Sequence, residues 1–111
     1  MITTAPDLTM TFAALGDPTR RAIVDRLADG DATVNELAGL FPITLQAVSR
    51  HIKVLEAGGL VTRRREGKTR PVHLEPAQLA RSRDWLESHR QRLERKYARL
   101  DELLQQGDDR S

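Results

Sequence analysis

Two short helical segments on either side of a proline constrain the fold of this chain more than any other feature. The first begins at Thr33-Val34-Asn35-Glu36, a capping box in which threonine caps a helix and glutamate follows three residues later. Pro42 ends this helix, because proline cannot continue the helical hydrogen-bond ladder. The apolar side chains that the segment offers to a core are Leu37, Leu40 and Phe41.

The second segment follows at once. Thr44 can cap it, and Gly58-Gly59 ends it. Its apolar stripe has the i, i+4, i+7 spacing of one helix face and consists of Val48, Ile52 and Leu55. Two short helices joined by a tight turn, the second followed by glycines, form a helix-turn-helix pattern.

A β-hairpin is predicted directly after this pattern. Residues 60–65 and 70–74 are strand candidates, in which Val61 alternates with Thr62 while Val72 and Leu74 share one face. Gly67 supplies the turn between them. The hairpin therefore has a basic tip and stands in the position of a wing.

Helices are also predicted at both ends of the chain. Leu8–Leu15 and a segment restarted by Asp17-Pro18 precede the helix-turn-helix, and Pro76 opens a last helix that runs to about residue 106. We therefore expect a mainly α fold with a two-stranded β-wing, a winged helix-turn-helix of order α-α-α-α-β-β-α. Residues 1–7 are predicted to be a flexible tail, 8–106 the domain with its dimerisation helix at about 76–106, and 107–111 a polar tail.

The last helix carries a leucine every seven residues, at Leu79, Leu86, Leu93 and Leu100. A single stripe of this kind can pack on its own domain. An uncovered leucine stripe on so long a helix would be an exposed apolar patch, which favours association of two copies. The second heptad row is polar, so a regular two-stranded coiled coil is not predicted.

Composition narrows the class of protein. A chain of 111 residues fits one domain, and the absence of cysteine excludes disulfides and thiolate metal ligands. No apolar run has the length of a membrane span and no signal peptide is evident, so we expect a cytoplasmic protein.

Residues 44–73 carry a net charge of +5, against −3 for residues 1–43 and zero for residues 74–111. A concentrated basic block is typical of DNA-binding proteins, although a solvated basic loop has the same composition.

The stripe of the second helix determines which of its side chains point outward. These are Gln46, Ser49, Arg50 and Lys53, whose types suit base edges in the major groove. Thr44 and the free N–H groups at the helix start can hold a phosphate. We therefore predict that this helix reads DNA.

The hairpin carries five cations: Arg63, Arg64, Arg65, Lys68 and Arg70. Basic side chains commonly protect sheet edges, so an ordinary exposed hairpin is one interpretation. Their position beside a helix-turn-helix favours a wing that contacts the DNA backbone or the minor groove. Such contacts should raise affinity and its salt dependence more than specificity.

Three runs in this sequence carry a family resemblance. Residues 15–23, 47–55 and 57–61 read LGDPTRRAI, AVSRHIKVL and AGGLV. The chain resembles the ArsR/SmtB repressors over roughly residues 10–75, and the first run is most similar to their metal-independent, SdpR-like branch. The resemblance implies a dimer built on the first and last helices, with Leu8 and Phe12 joining the leucines at the interface. It also implies repression of the protein's own or a neighbouring operon through an inverted-repeat operator.

No metal site or cofactor is expected. Family members that sense soft metals place a Cys-x-Cys pair before the recognition helix, where residues 34–40 have no cysteine. The potential metal ligands Asp84 and His89 in the last helix are five residues apart and do not share a face well. No enzyme motif is present. The remaining alternative is a winged-helix protein-interaction module without a specific DNA site.

Overall fold

The computed structural model describes residues 7–109, so nearly all of the predicted N-terminal tail lies outside the described residues. Asp7, assigned to that tail, caps the first helix by accepting a 2.9 Å hydrogen bond from the N–H of Thr9. The chain divides into two compact units, one ending at Ala80 and the other beginning at Arg81. The elements are α1 Leu8–Leu15, α2 Pro18–Leu27, α3 Val34–Ala38, α4 Leu45–Ala57, β1 Val61–Arg63, β2 Val72–Leu74 and α5 Pro76–Asp109. This order confirms the predicted fold class.

Side-chain caps explain why the helices begin where they do. Asp17 accepts from the N–H of Arg20, and Thr44 from the N–H of Ala47. Thr33 completes the predicted capping box with Glu36, since each side chain binds the backbone N–H of the other residue. The predictions of these three caps are confirmed.

The predicted extent of α3 was wrong. The helix ends at Ala38, and the N–H of Gly39 closes its last turn on the carbonyl of Asn35 at 3.1 Å. Leu40, predicted on the helix, lies beyond it and is 57% exposed. Phe41 precedes a proline, a position that disfavours helical backbone angles. The segment between α3 and α4 is therefore an irregular turn and not a continuation of the helix.

The hairpin strands are shorter than predicted. They pair antiparallel with Val61 opposite Leu74 and Arg63 opposite Val72. Arg64 still donates to the carbonyl of Pro71, but Pro71 has no N–H to return the bond, and the regular ladder stops there. The predicted turn at Gly67 is confirmed by its positive φ of 58°.

A second pairing was not predicted. Ala32, between α2 and α3, forms an antiparallel bridge with Val72, and its N–H and carbonyl both bond to that residue. This bridge attaches the hairpin to the start of the helix-turn-helix. A single paired residue produces no alternation of apolar and polar side chains, so the sequence could not predict the Ala32–Val72 bridge.

The core lies within the first unit, where α2, α3, α4 and the hairpin meet. Its buried apolar side chains include the predicted stripe of α4; the largest are Ile23, Leu37, Val48, Ile52, Leu55, Leu60, Val61 and Val72. The apolar residues that the sequence of α1 offers for burial are Met10, Phe12, Ala13 and Leu15. Leu15 packs in part against the core and Phe12 is half-buried, whereas Met10 is 48% exposed; the side chains buried completely are those of Thr11 and Ala14.

Helix α5 continues to Asp109, past the predicted end near residue 106. Gly107 therefore lies inside the helix and does not begin a polar tail, since one exposed glycine costs a helix only about 1 kcal/mol.

Within the second unit, Arg90 pairs with both Glu87 and Glu94 one turn to either side. This pairing lowers the pKa of Glu87 and raises that of Arg90. In the described part of the chain, no helix combines the length and apolarity that a membrane crossing requires.

Candidate nucleic-acid interface

Helix α4 has one buried face and one open face. Val48, Ile52 and Leu55 are fully buried. On the other side, Gln46, Arg50 and Lys53 are exposed and Ser49 is half-buried. The structure thus places the four predicted DNA-reading side chains on the outward surface of one helix. Among the described side chains, those of residues 7–107, neither Arg50 nor Lys53 has an ion-pair partner, so both cations are available to an anionic ligand.

The start of α4 is also exposed. Thr44 lies at the surface, and its hydroxyl oxygen accepts a 3.1 Å hydrogen bond from the N–H of Ala47. Accepting this bond uses only a lone pair of the Thr44 oxygen, so the hydroxyl can still donate its hydrogen to a ligand. An exposed helix start with unpaired N–H groups carries a partial positive charge suited to a phosphate.

Arg20, which the sequence did not predict as a functional residue, joins α2 to both α1 and α4. Its guanidinium donates to the carbonyls of Ala14 at 2.7 Å and Ala13 at 3.2 Å, at the end of α1. Another guanidinium nitrogen lies 3.4 Å from Nδ1 of His51, on α4. These bonds fix the position of α4 against the helices before it. The sequence signal that could have identified Arg20 is the Gly-Asp-Pro-Thr-Arg run, residues 16–20, because this run ends on that arginine.

The five cations of the wing differ in exposure and in the surface that they line. Arg63 is half-buried in β1, while the other four are exposed. Arg63, Lys68 and Arg70 line a pocket with the start of α3, whereas Arg64 and Arg65 do not. Strand alternation explains part of this division, because Arg63 follows the buried Val61 on the same face of β1.

The predicted dimer residues differ in exposure. In the first unit, Leu8 and Phe12 are half-buried, and Leu79 packs in part against the domain's own core. In the second unit, Leu86, Leu93 and Leu100 are 54%, 51% and 46% exposed. The same unit exposes two aromatic residues that we did not predict as part of this surface, Trp85 and Tyr97. Neither Trp85 nor Tyr97 falls on the heptad row of the four leucines, so the seven-residue repeat did not predict them.

Each histidine has a partner within the described residues. His73 lies 2.8 Å from a carboxylate oxygen of Asp31, His51 approaches Arg20, and the ring of His89 stacks on Trp85 with centroids 4.1 Å apart. Among the side chains that the structure describes, those of residues 7–107, no three His, Asp or Glu are grouped in a way that could hold a metal ion.

A buried-core helix-turn-helix, an outward polar face on its second helix and a basic β-hairpin define a winged-helix DNA-binding protein. The comparisons agree, since a family model described as a helix-turn-helix domain matches residues 15–64. The HTH-type transcriptional regulator Rv2034 of Mycobacterium tuberculosis is 45% identical, over 88% of this chain and 90% of its own. The transcriptional repressor SdpR of Bacillus subtilis is 33% identical, over 68% of this chain and 83% of its own.

Solved structures give the same result. An ArsR-like transcriptional regulator from a Rhodococcus species superposes with a TM-score of 0.83 at 30% identity, over 88% of this chain and 90% of its own. The homodimeric winged helix-turn-helix DNA-binding domain Mb0332 of Mycobacterium bovis gives 0.61 at 28% identity, over 75% and 77%. The chain belongs to the ArsR/SmtB family of transcriptional regulators. Its relatives in these comparisons are named as regulators and not as enzymes.

Proposed function

We propose that this protein is a homodimeric, sequence-specific repressor that binds an inverted-repeat operator in its own or a neighbouring operon. The observation that carries the proposal is the outward face of α4, where Gln46, Arg50 and Lys53 are exposed opposite a fully buried apolar stripe. A helix presented in this way fits the width of the major groove.

The side chains of this face have distinct roles in the proposal. Arg50 donates two hydrogen bonds to O6 and N7 of a guanine, and Gln46 pairs with the edge of an adenine. Ser49 and Lys53 complete the base contacts, while the Thr44 hydroxyl and the start of α4 hold a backbone phosphate. The wing cations supply affinity that depends strongly on salt.

The second copy is proposed to cover the exposed leucines of α5. Leu86, Leu93 and Leu100 leave a long apolar row open to water, which is costly for an isolated chain. Leu8 and Phe12 of α1 and the half-buried Leu79 are further proposed contacts with that copy. The homodimeric state of the Mycobacterium bovis neighbour supports this assembly. The two recognition helices should then address half-sites roughly 34 Å apart, or a multiple of that spacing.

The regulator is proposed to act without a metal, in the SdpR-like branch of the family and in the cytoplasm, where its DNA target lies. The similarity to SdpR and the lack of any cysteine support this placement. The metal sensors that use a Cys-x-Cys pair need thiolates that this chain cannot supply.

A binding assay on the protein's own upstream region tests the proposal. Fluorescence anisotropy should show tight, salt-dependent binding to one fragment and weaker binding to a scrambled duplex of equal length, and the footprint should have two-fold symmetry. Arg50→Ala should cost about 1–3 kcal/mol and relax base choice at one position in each half-site. Arg95→Ala, which removes the same charge from the exposed surface of α5, is the matched control and should leave binding unchanged.

Two outcomes contradict specific parts of the proposal. Equal weakening of Arg50→Ala on every sequence would make Arg50 a phosphate contact and not a base reader. Equal affinity of the unmodified protein for the upstream fragment and the scrambled duplex would reject a specific operator and leave the protein-interaction module as the explanation.

A further inference from the structure

Three helices meet at the guanidinium of Arg20, in α2. Its nitrogens donate to the carbonyl oxygens of Ala14 and Ala13, at the end of α1. Its Nη1 also lies 3.4 Å from Nδ1 of His51, in the middle of α4. Arg20 and His51 are both half-buried. The helix that carries the proposed DNA-reading face is therefore held against α1 and α2 in part by a contact that ends on a histidine.

The chemistry of this contact fixes the protonation state of His51. A guanidinium has N–H donors and no acceptor, so Nδ1 of His51 must accept the hydrogen bond from Arg20. A ring that accepts at Nδ1 is neutral and carries its one proton on Nε2. Protonation of Nδ1 would replace the acceptor by a donor and would leave two cationic groups 3.4 Å apart, which repel each other.

Asp17 gives a protonated His51 a second partner. This residue caps α2, and its carboxylate accepts from the N–H of Arg20 at 3.0 Å. The pKa of Asp17 is lowered mainly by that hydrogen bond and further by the charges of Arg20 and His51, so the three groups act on one another. Asp17 is therefore ionised wherever histidine titrates, and its negative charge attracts the protonated ring.

Other charged groups on the elements packed against α4 have less influence on this ring. Helix α1 has no ionisable side chain. Apart from Arg20, those of α2, α3 and β1 are Arg21, Asp25, Arg26, Glu36 and Arg63. Arg21 and Arg26 donate to backbone carbonyls, and Glu36 accepts from the N–H of Thr33. On α4 itself, the residues one turn before and after His51 are all apolar: Ala47, Val48, Val54 and Leu55.

We propose that His51 is a proton-sensitive positioning residue, which through Arg20 holds α4 in its DNA-binding orientation at neutral pH and releases it in acid. In the neutral state the ring accepts from Arg20, and α4 is anchored to α2 and to the end of α1. Protonation removes the acceptor, and the charged ring moves from Arg20 towards Asp17. His51 acts here on DNA binding, so this inference rests on the proposed function.

The direction of the pH dependence separates this role from a general effect of charge. A protonated histidine adds a positive charge to a DNA-binding protein, which by itself strengthens the attraction to the phosphate backbone. Release of α4 acts in the opposite direction, because the DNA-reading side chains lose their fixed orientation. We therefore expect affinity for the operator to fall on acidification and not to rise.

Fluorescence anisotropy with the upstream fragment, at constant ionic strength, measures this dependence. Between about pH 7.5 and about pH 5.5, where histidine ordinarily changes charge, affinity should fall at least about fivefold, the lower end of typical coupling between two sites. His51→Asn has an uncharged acceptor close to the position of Nδ1, so it should keep the affinity at neutral pH and lose the dependence. His51→Phe keeps a ring without acceptor or charge and should bind weakly at both pH values. His73→Asn, which removes a histidine outside α4, should keep the dependence.

Two measurements without DNA test the contact itself. Nuclear magnetic resonance of the ring nitrogens, in the unmodified protein at neutral pH, should place the proton of His51 on Nε2. A proton on Nδ1 would overturn the proposal. Hydrogen-exchange protection of the α4 amides, corrected for the intrinsic effect of pH, should fall on acidification in the unmodified protein but not in His51→Asn.

The inference and the proposed function fail in different ways. Specific binding that strengthens in acid, or that weakens equally in His51→Asn, rejects the proton-sensitive contact and leaves the proposed function standing. If no fragment is bound specifically at any pH, while the proton lies on Nε2 and α4 still responds to acid, the proposed function fails and the contact between His51 and Arg20 stands.

Discussion

The hydroxyl of Thr11, in α1, donates a 2.6 Å hydrogen bond to the carbonyl of Gly58, at the C-terminal end of α4. The same oxygen accepts a 2.8 Å bond from the side-chain amide of Gln78, in the first turn of α5. Thr11 and Gln78 are both buried. One hydroxyl therefore joins α1, the end of α4 and the beginning of α5.

Replacing Thr11 by valine keeps the shape of the side chain and removes both bonds. The Gly58 carbonyl and the Gln78 amide then each lose a buried partner, so the free energy of unfolding should fall by about 1–3 kcal/mol. Urea denaturation followed by circular dichroism measures the change. Thr9→Val, at an exposed position of the same helix, should change stability little. Equal effects of the two substitutions would show that the hydroxyl network does not stabilise the fold.

Gly58 is required by close approach of two backbones and not by an unusual φ, which is −81°. A Cβ at this position would lie 2.9 Å from the carbonyl oxygen of Met10 and 3.1 Å from Cα of Thr11. Neither atom can rotate away, so Gly58→Ala should shift α1 against α4 and cost about 1–3 kcal/mol.

Gly39→Ala is the control for this prediction. Gly39 also caps a helix with an ordinary φ of −71°, but its nearest neighbour to an added Cβ is 3.5 Å away, an ordinary contact. Thermal unfolding of the two variants should therefore differ by several degrees in Tm. A Gly58→Ala protein as stable as the Gly39→Ala protein would mean that α1 and α4 adjust to the extra atom without strain.

Local signals in the sequence predicted the elements that have local causes. The Thr33–Glu36 box and the Thr44 cap are set by residues three apart, and the stripe of α4 follows from helical periodicity. The burial of Thr11 could not be predicted, because its partner Gly58 is 47 residues away. The Ala32–Val72 bridge and the pocket around Arg63 likewise depend on how distant segments pack. The outward face of α4 was predicted, whereas the division of the wing cations required the structure.

The charge of Asp17 should make the free energy of unfolding depend on pH. The N–H of Arg20 donates to its carboxylate at 3.0 Å and is the main reason that the pKa of Asp17 lies below its usual value of 3.8. The folded state thus binds a proton less readily than the unfolded chain. Ionised Asp17 favours folding above pH 3.8, and this contribution is lost as the pH falls through the lowered pKa.

Asp17→Asn tests this dependence because asparagine caps helices about as well as aspartate but has no charge. The variant should be less stable than the unmodified protein at neutral pH, and urea unfolding at decreasing pH should show the difference closing below pH 3.8. Asp25→Asn removes the same charge from the middle of the same helix and serves as the control. A constant difference for Asp17→Asn over the whole pH range would show that the charge of Asp17 does not contribute.

The exposed leucines of α5 predict which substitution should separate the two copies of the proposed dimer. Leu93 is 51% exposed and has an apolar neighbour one heptad away on either side, at Leu86 and Leu100. Leu93→Glu would place an unpaired charge from each copy in the proposed interface, which costs several kcal/mol and should weaken association by roughly a hundredfold or more. Sedimentation velocity at micromolar protein should then show a monomer.

Ala98→Glu provides the matched control, since it adds the same charge to α5 about 140° away from Leu93 around the helix. This variant should remain dimeric and keep its DNA affinity. The Leu93→Glu monomer should lose affinity for a two-half-site fragment but keep its weaker affinity for a single half-site, because α4 itself is unaltered. A Leu93→Glu protein that still sediments as a dimer would exclude the α5 stripe and require another surface to set the spacing of the recognition helices.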